Sequence, residues 1–519
     1  MSPLDMMFQR YGPNYKWLVT VTVLLGLVAL GMSITIVNVA TPHIKGSLGI
    51  SDAEVQWIST GFLAATTVAL LVAPWLSQAF GQRATYLGLL AVFIGASLLG
   101  GFATSLGAIV TARVVQGAMT GLLRPLAMEA LYSVFPIQQR GLATAIYGMS
   151  LGLPLTLATV VGGWLVETLS WHYVFFVVLP VCLVAMVMGY FFLPGRMTDG
   201  PRPPFDWLGA VTLFAAIFSL LAAISNTPRW GWQSEGVQGL LLLTLVLSVI
   251  FISWEQRVDK PLLDLSIFRY KGFMAGCSSI FLFGGAFYAI MYLLPLFVQT
   301  ILSYDPITAG MMFLPSTIVL ALLVPVVGKL SDRWPPHYLT IPGLGFAIYA
   351  VYRFAHIDDG TSFASLAWSL TLMSAGMATF PPPTFARAIG SLPIALIGYG
   401  SGVINFVLQL GGALGTAALV LLMERRTAFH SDHLADGLTP GNSVAMSTLS
   451  QLQGVAGRLG TSESQQAFAA SELVGRMEVF WASIYAYQDG FWVVVAALTI
   501  ILVPSWLLTR WSMNVQQKQ

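Results

Sequence analysis

The sequence predicts an all-α polytopic membrane protein of fourteen transmembrane helices, and three observations carry that reading. Hydrophobic residues make up 56% of the 519-residue chain, charged residues 9%, and the mean hydropathy is +0.77, values foreign to water-soluble domains. Apolar runs of spanning length recur along the chain, and the Lys and Arg residues between them fall mostly on one side. A hydrocarbon core of about 30 Å takes roughly 20 residues of helix per crossing, so fourteen crossings use on the order of 300 residues. The chain is long enough for all of them and their connections.

The runs occupy 17–41, 56–77, 85–103, 108–133, 141–166, 172–193, 207–225, 237–254, 272–300, 307–329, 337–354, 362–381, 398–423 and 490–510. An even number of crossings puts both termini on one side. With the N-terminus in the cytoplasm, the inner connections hold Arg10, Lys16, Arg83, Arg140, Arg196, Arg202, Arg257, Lys260, Arg269, Lys271, Lys329, Arg333, Arg387, Arg510 and Lys518. The short outer loops then hold only Lys45, Arg229 and Arg353. This is the positive-inside pattern; Arg425, Arg426, Arg458 and Arg476 lie in a long outer segment, where charge has little bearing on orientation. Residues 1–15 precede a first run of full spanning length with no small-residue cleavage site behind it, so no cleaved leader is expected.

The expected organisation is a six-helix bundle over 1–193, two inserted helices over 194–254, a cytoplasmic segment at 255–271, and a second six-helix bundle over 272–519. The last contains an outer segment at 424–489. In WEQRVDKPLLDLSIFRYKG (Trp254–Gly272) charges interleave with apolar residues, which predicts an amphipathic stretch along the inner interface. In the outer segment Leu473, Met477, Phe480 and Ile484 recur at helical spacing. That helix either rests on the protein's own outer surface or docks another protein. WLSQAFGQR (Trp75–Arg83), with Gly81 and Arg83, follows the second run, and GKLSDRW (Gly328–Trp334), with Asp332 and Arg333, follows the tenth. Matching basic turns at corresponding places are what duplicated transporter halves show, with the substrate site near the midplane between them.

Several function classes are excluded. A net charge of +2 with no dense Lys/Arg run gives no basis for a nucleic-acid partner. Cys182 and Cys277, both in apolar stretches, are too few for a disulfide framework or a thiolate metal cluster. No P-loop, HExxH or nucleophile motif is visible, so neither an enzyme nor ATP-driven transport is expected, and no cofactor.

Polar groups inside the runs are the candidate machinery. Of the 22 acidic residues, all but Glu129 map to tails, loops or helix ends. An ionised carboxylate at membrane depth must be paired, hydrated or protonated, which suits a proton carrier. Alternatively, Glu129 lies nearer the helix end and reaches the interface. Arg113 and Arg124 share its helix, and Pro125 loosens the turn at Arg124. Arg124 is either a substrate-facing cation or the fixed partner of Glu129, since a mid-span Arg facing lipid is expensive. An offset of five residues does not stack the two as helical neighbours. Asn38, Gln116, Asn405 and Gln409 supply neutral hydrogen bonds that tie helices together or touch substrate. Tyr292, Phe297 and Gln299 offer an aromatic and polar wall. Gly162, Gly163, Gly411, Gly412 and Gly415 permit close helix approach and sliding.

At the level of motifs, ITIVNVATP (Ile34–Pro42), ARVVQGAMTG (Ala112–Gly121), VVGGW (Val160–Trp164), WHYVFFVVLPV (Trp171–Val181), FDWLGA (Phe205–Ala210), PLLDLSIFR (Pro261–Arg269), YLLPLFVQTILSYDPITAG (Tyr292–Gly310) and SGVINFVLQLGGALGTA (Ser401–Ala417) occur in order. In this the chain resembles the fourteen-helix drug:proton antiporters of the major facilitator superfamily, closest to their EmrB branch. The resemblance implies the major facilitator fold: two six-helix bundles with two extra helices between them. It implies multidrug efflux by proton-coupled antiport, with Arg113 in proton handling, and a multi-pass place in a bacterial inner membrane. The stretch opening RRTAFHSDHLADGLTPGN (Arg425–Asn442) is similar to that of branch members working in tripartite efflux. It implies an EmrA-like periplasmic adaptor and an outer-membrane channel as partners.

The departures bear on mechanism. The family's first-helix acid is Ser33 here, the Asp of the inner turn after helix two is Gln78, and an Arg near Gln409 is replaced by Leu408. The Gly-Pro pair before Gly162 reads Ala158 and Thr159. The function expected is export of hydrophobic or amphipathic small molecules, including anionic ones through Arg124, by alternating access and driven by a proton gradient. Two alternatives are a dedicated exporter of an endogenous metabolite such as a siderophore, and a transporter-like receptor or scaffold that moves nothing.

Overall fold

A computed structural model describes residues 3–516 except 51, 137–138, 196–203, 259–260, 332, 336, 394–395, 437–446, 448–449 and 452–462. An amphipathic α1 (Pro3–Tyr11) precedes α2 (Tyr15–Leu48), α3 (Asp52–Phe80), α4 (Gln82–Gly101), α5 (Leu106–Val134) and α6 (Arg140–Thr168). The sixth crossing is the split pair α7 (Tyr173–Phe176) and α8 (Leu179–Phe192), followed by α9 (Trp207–Trp230) and α10 (Glu235–Glu255). Then come α11 (Lys271–Thr300), the split pair α12 (Pro306–Met311) and α13 (Leu314–Ser331), and α14 (His337–Phe354). The split pair α15 (Phe363–Ala378) and α16 (Pro381–Gly390), α17 (Ile397–Asp436) and α18 (Glu463–Gln516) complete the chain. Among the described residues these elements supply fourteen crossings, an even number that returns the end of α18 to the face from which α2 starts.

Local chemistry sets these boundaries. Ser105, Asp206, Ser234, Asp305 and Ser362 each accept a backbone N–H from the first turn of α5, α9, α10, α12 and α15, fixing where each rod leaves the surface. Pro180, Pro315 and Pro381 begin the second pieces of the split crossings, where a missing N–H breaks no helical bond. Gly81 links α3 to α4 at φ 82°, a conformation that side chains with a Cβ resist.

The two halves repeat one packing scheme. α2 pairs with α6 as α11 pairs with α17; α3 with α5 as α13 with α15; α2 with α8 as α11 with α18. Small residues bring these pairs close. A Cβ on Gly117 or Gly121 would overlap the carbonyl of Phe62 or Thr66 on α3, and one on Gly411 would overlap the carbonyl of Phe281 on α11. Thr66 cements the first pair by donating to Gly117 O at 3.0 Å. Between halves, α3 meets α17 and α13 meets α6, two contacts related by the same repeat. Both include close backbone approaches: Gly402 lies against Leu70, and Gly328 against Gly141 and Ala145.

The α9–α10 hairpin sits outside this repeat. It packs on α3 through Trp57–Phe218 and Trp75–Phe205, with ring centroids 6.0 and 4.5 Å apart, and turns Leu242, Leu245 and Val249 outward, an apolar face suited to lipid.

Two connections bear on the expected organisation. In the stretch after α10, Leu262, Leu263 and Ile267 are buried in the protein around a short 3-10 turn (Leu265–Arg269), while Arg257, Arg269 and Lys271 are exposed. Pro261 and the Asp264 side chain, which caps Ser266 N at 2.9 Å, favour a turn over a helix there. The expected outer helix is present and continuous with the last crossing, since α18 runs unbroken from Glu463 through it. Ile484 is buried and Phe480 partly so, while Leu473 and Met477 stay exposed. This arm is stapled to the end of α17: Asp489 accepts from Arg426 at 2.5 Å and lies 2.7 Å from His430, and Ser431 donates to Glu478 at 2.5 Å. Arg426 is about a third exposed, so Asp489→Asn is expected to cost at most about 1 kcal/mol locally. Faster amide exchange over residues 425–436, with the membrane core unchanged, would register it.

Candidate functional site

The seam between the halves gathers the polar side chains of α5, α6, α11 and α17. Arg124 is 6% exposed at that seam. It donates to Gln409 Oε1 across the halves at 3.3 Å, and Tyr288 on α11 reaches the same oxygen at 3.3 Å. One turn earlier on α17, Asn405 Oδ1 accepts from Tyr147 on α6 at 2.6 Å. Asn405 and Gln409 thus act as cross-half bridges in this state. Arg124 also lines a slot of about 10 Å³ with Leu27, Leu30, Gly31, Ile34, Thr120 and Ser150, the size of one water. Among the described residues no carboxylate pairs with Arg124. Of the two alternatives left open by the sequence, a fixed pair with Glu129 is therefore excluded in this state. A guanidinium offers five donors in a planar fork that matches a carboxylate. At this seam it can hold an anionic headgroup while apolar walls take a tail.

Glu129 is not at mid-depth. It is half-buried near the end of α5 and accepts from Ser77 at 2.9 Å and Gln82 at 3.2 Å, level with the Gly81 turn. Helical phase sends it toward α3 and α4, away from Arg124. At the same turn Arg83 donates to Leu193 O at 2.7 Å, tying the start of α4 to the end of α8. The turn is a polar latch with an acid inside it.

Arg113 lies fully buried inside the N-terminal half, where α5 faces α2 and α3. It donates to Ser33 O at 2.8 Å, Ile58 O at 3.4 Å and Gln116 Oε1 at 3.1 Å, and stands 4.1 Å from the centre of the Phe62 ring. Carbonyl dipoles and a ring face hold this cation, with no acid paired to it among the described residues. The carbonyl of Ser33, at the position of the family's first-helix acid, is among them. Gln116 does not line the seam: it is 0% exposed and its amide donates to Ser97 at 2.9 Å, so it orients Arg113.

The remaining candidates are scattered. Tyr292 and Gln299 are exposed on the far half of α11 and do not line the Arg124 slot. Gly162 sits against Ile36 on α2, while nothing lies within 4 Å of a Cβ on Gly163. Arg333 is exposed at its turn; Asp332 and the side chain of Asn38 lie outside the described residues. Tyr147, Tyr288, Ser77 and Gln82 were not singled out by sequence. For Tyr147 the available signal was a phenol within an apolar run facing Asn405's helix; for the others there was none.

Comparison with known proteins fits this geometry. Residues 23–416 match the model of the Major Facilitator Superfamily. The multidrug export protein EmrB of Escherichia coli strain K12 is 28% identical over 91% of this chain and 91% of its own. The fatty acid resistance protein FarB of Neisseria gonorrhoeae is 29% identical over 89% of this chain and 92% of its own. The solved proton:xylose symporter XylE superposes with a TM-score of 0.58 at 13% identity, over 94% of this chain and 95% of that one, a likeness of fold. The repeated helix pairing, the inserted hairpin and the match over 23–416 agree: the chain belongs to the major facilitator superfamily and is a multi-pass membrane transporter.

Proposed function

We propose that this transporter exports hydrophobic and amphipathic small molecules, anionic amphiphiles among them, across a bacterial inner membrane by alternating access driven by proton entry. The observation that carries the reading is Arg124, a buried cation with no carboxylate partner among the described residues, on the seam that must part for cargo to pass. The relatives named for multidrug export and fatty acid resistance support the cargo class. In this reading both termini are cytoplasmic, and the stapled arm of α17 and α18 reaches the periplasm, where an adaptor leading to an outer-membrane channel would meet it.

The cycle follows from the contacts. The halves meet along the seam, and the Arg124 slot is too small for cargo. Breaking Arg124–Gln409 and Tyr147–Asn405 frees the donors that a carboxylate headgroup needs. Glu129, latched by Ser77 and Gln82, is the acid placed to exchange a proton as that turn rearranges; Arg113 fixes α5 against α2 and α3 while this happens. Uptake of a fluorescent long-chain carboxylate into everted vesicles is expected to stop when a protonophore collapses the gradient. Glu129→Gln is expected to reduce gradient-driven uptake by at least about tenfold, the scale of a lost proton-transfer group, while leaving cargo exchange in the absence of a gradient intact. Uptake indifferent to the gradient would sink the coupling.

A further inference from the structure

The cytoplasmic foot of the α9–α10 hairpin holds a carboxyl pair that the transport reading does not use. Asp206 caps the start of α9 and Glu255 ends α10, and they are 8% and 4% exposed. Asp206 Oδ1 accepts from Gly209 N and from Trp254 Nε1, both at 2.8 Å. Glu255 Oε2 accepts from Leu263 N at 3.1 Å, joining the hairpin to the segment that follows it. The two other oxygens, Asp206 Oδ2 and Glu255 Oε1, are buried with no donor among the described residues. They converge on one point: a Cβ on Gly209 would overlap the first and fall 2.7 Å from the second.

Among the described residues neither carboxylate has a Lys or Arg ion-pair partner. Among the described residues, the titratable groups gathered on this side of the hairpin are Tyr399 at the start of α17, whose hydroxyl bonds to Gln78 of α3 and which lies within electrostatic reach of Glu255, and Asp264 of the following segment, within reach of Tyr399. Both are acids. Two ionised carboxylates are acceptors only, and like charges at this range cannot both persist in a buried site. A divalent cation takes six or more oxygens, whereas N–H donors already hold the outer oxygens and only two remain.

We propose that Asp206 and Glu255 form a proton-binding site, a carboxylic acid and a carboxylate sharing one proton between Oδ2 and Oε1. Asp206, with two N–H groups on Oδ1, carries the charge, and Glu255 carries the proton. The proton closes a knot joining α9, α10 and the Leu262–Ile267 turn; its release to an alkaline cytoplasm leaves two facing charges that push the hairpin's ends apart. The site is separate from Glu129 and stands whether or not cargo movement is proton-driven.

Infrared difference spectra of the purified full-length protein in nanodiscs, taken between acidic and alkaline buffers, test it. The expected result is a protonated-carboxyl C=O band that disappears on alkalinisation, survives in Glu129→Gln, and is missing in Glu255→Gln. In Asp206→Asn, which keeps an oxygen for the cap but removes the neighbouring charge, the band should be lost at lower pH than in the native protein. Should Glu255→Gln not fold, that shift decides the matter alone. A titration unchanged in Asp206→Asn, a band retained in Glu255→Gln, or a band set by sodium or potassium at fixed pH would overturn the proposal.

Discussion

Arg124→Gln is expected to lower export of a long-chain carboxylate by about 10- to 150-fold, the range for losing a charge-assisted hydrogen bond at a buried site, with little change for a neutral or cationic dye. Glutamine retains a donor for Gln409, so the seam can still close, but it offers no charge to a headgroup. Arg124→Lys should recover part of the carboxylate rate, since the charge returns without the planar fork. Initial rates for paired cargoes in everted vesicles would measure it. Equal losses for both cargo classes would assign Arg124 to holding the halves together; no loss would remove it from the cargo path.

The second large effect concerns packing. In Gly121→Ala the new methyl would overlap Thr66 O and lie 2.9 Å from Ala69 Cβ, and backbone cannot rotate aside as a side chain can. Forcing α3 from α5 is expected to cost about 3 kcal/mol and to lower the unfolding temperature in detergent. Gly163→Ala is the matched control. Nothing lies within 4 Å of its added Cβ, and alanine favours a helix by up to about 1 kcal/mol over glycine, so neutral or slightly raised stability is expected there. A drop at Gly163 equal to that at Gly121 would mean that glycine flexibility, not close approach, is what α5 and α6 require.

What could be read from the sequence follows from which forces are local. The fourteen crossings are written in hydropathy and in caps such as Asp206 and Ser362, because each helix satisfies its own backbone in lipid. Arg124 was legible as a functional cation because a mid-span Arg facing lipid is expensive, and Arg113 through the motif ARVVQGAMTG that it shares with its family. Their partners were not. Gln116, three residues from Arg113, looked equivalent to Gln409 as a mid-span amide, yet one faces Ser97 inside a half and the other bridges the seam. Glu129's depth depended on how far α5 runs beyond its apolar stretch, which hydropathy leaves open by about a turn. In the 255–271 segment the alternation of charged and apolar residues was legible, but not its 3-10 turn, which Pro261 and the Asp264 cap set locally.

The unbroken α18 has a mechanical consequence. At 1.5 Å per residue, the stretch from Glu463 to Asp489 extends about 40 Å beyond the last crossing, and the Arg426–Asp489–His430 staple braces its base to the end of α17. Such a strut behaves as a lever whose fulcrum is the membrane surface. A tilt of the C-terminal half by about 10° would sweep the Glu463 end through about 7 Å, a movement readable by distance labels placed on Phe468 and on a fixed point of α4.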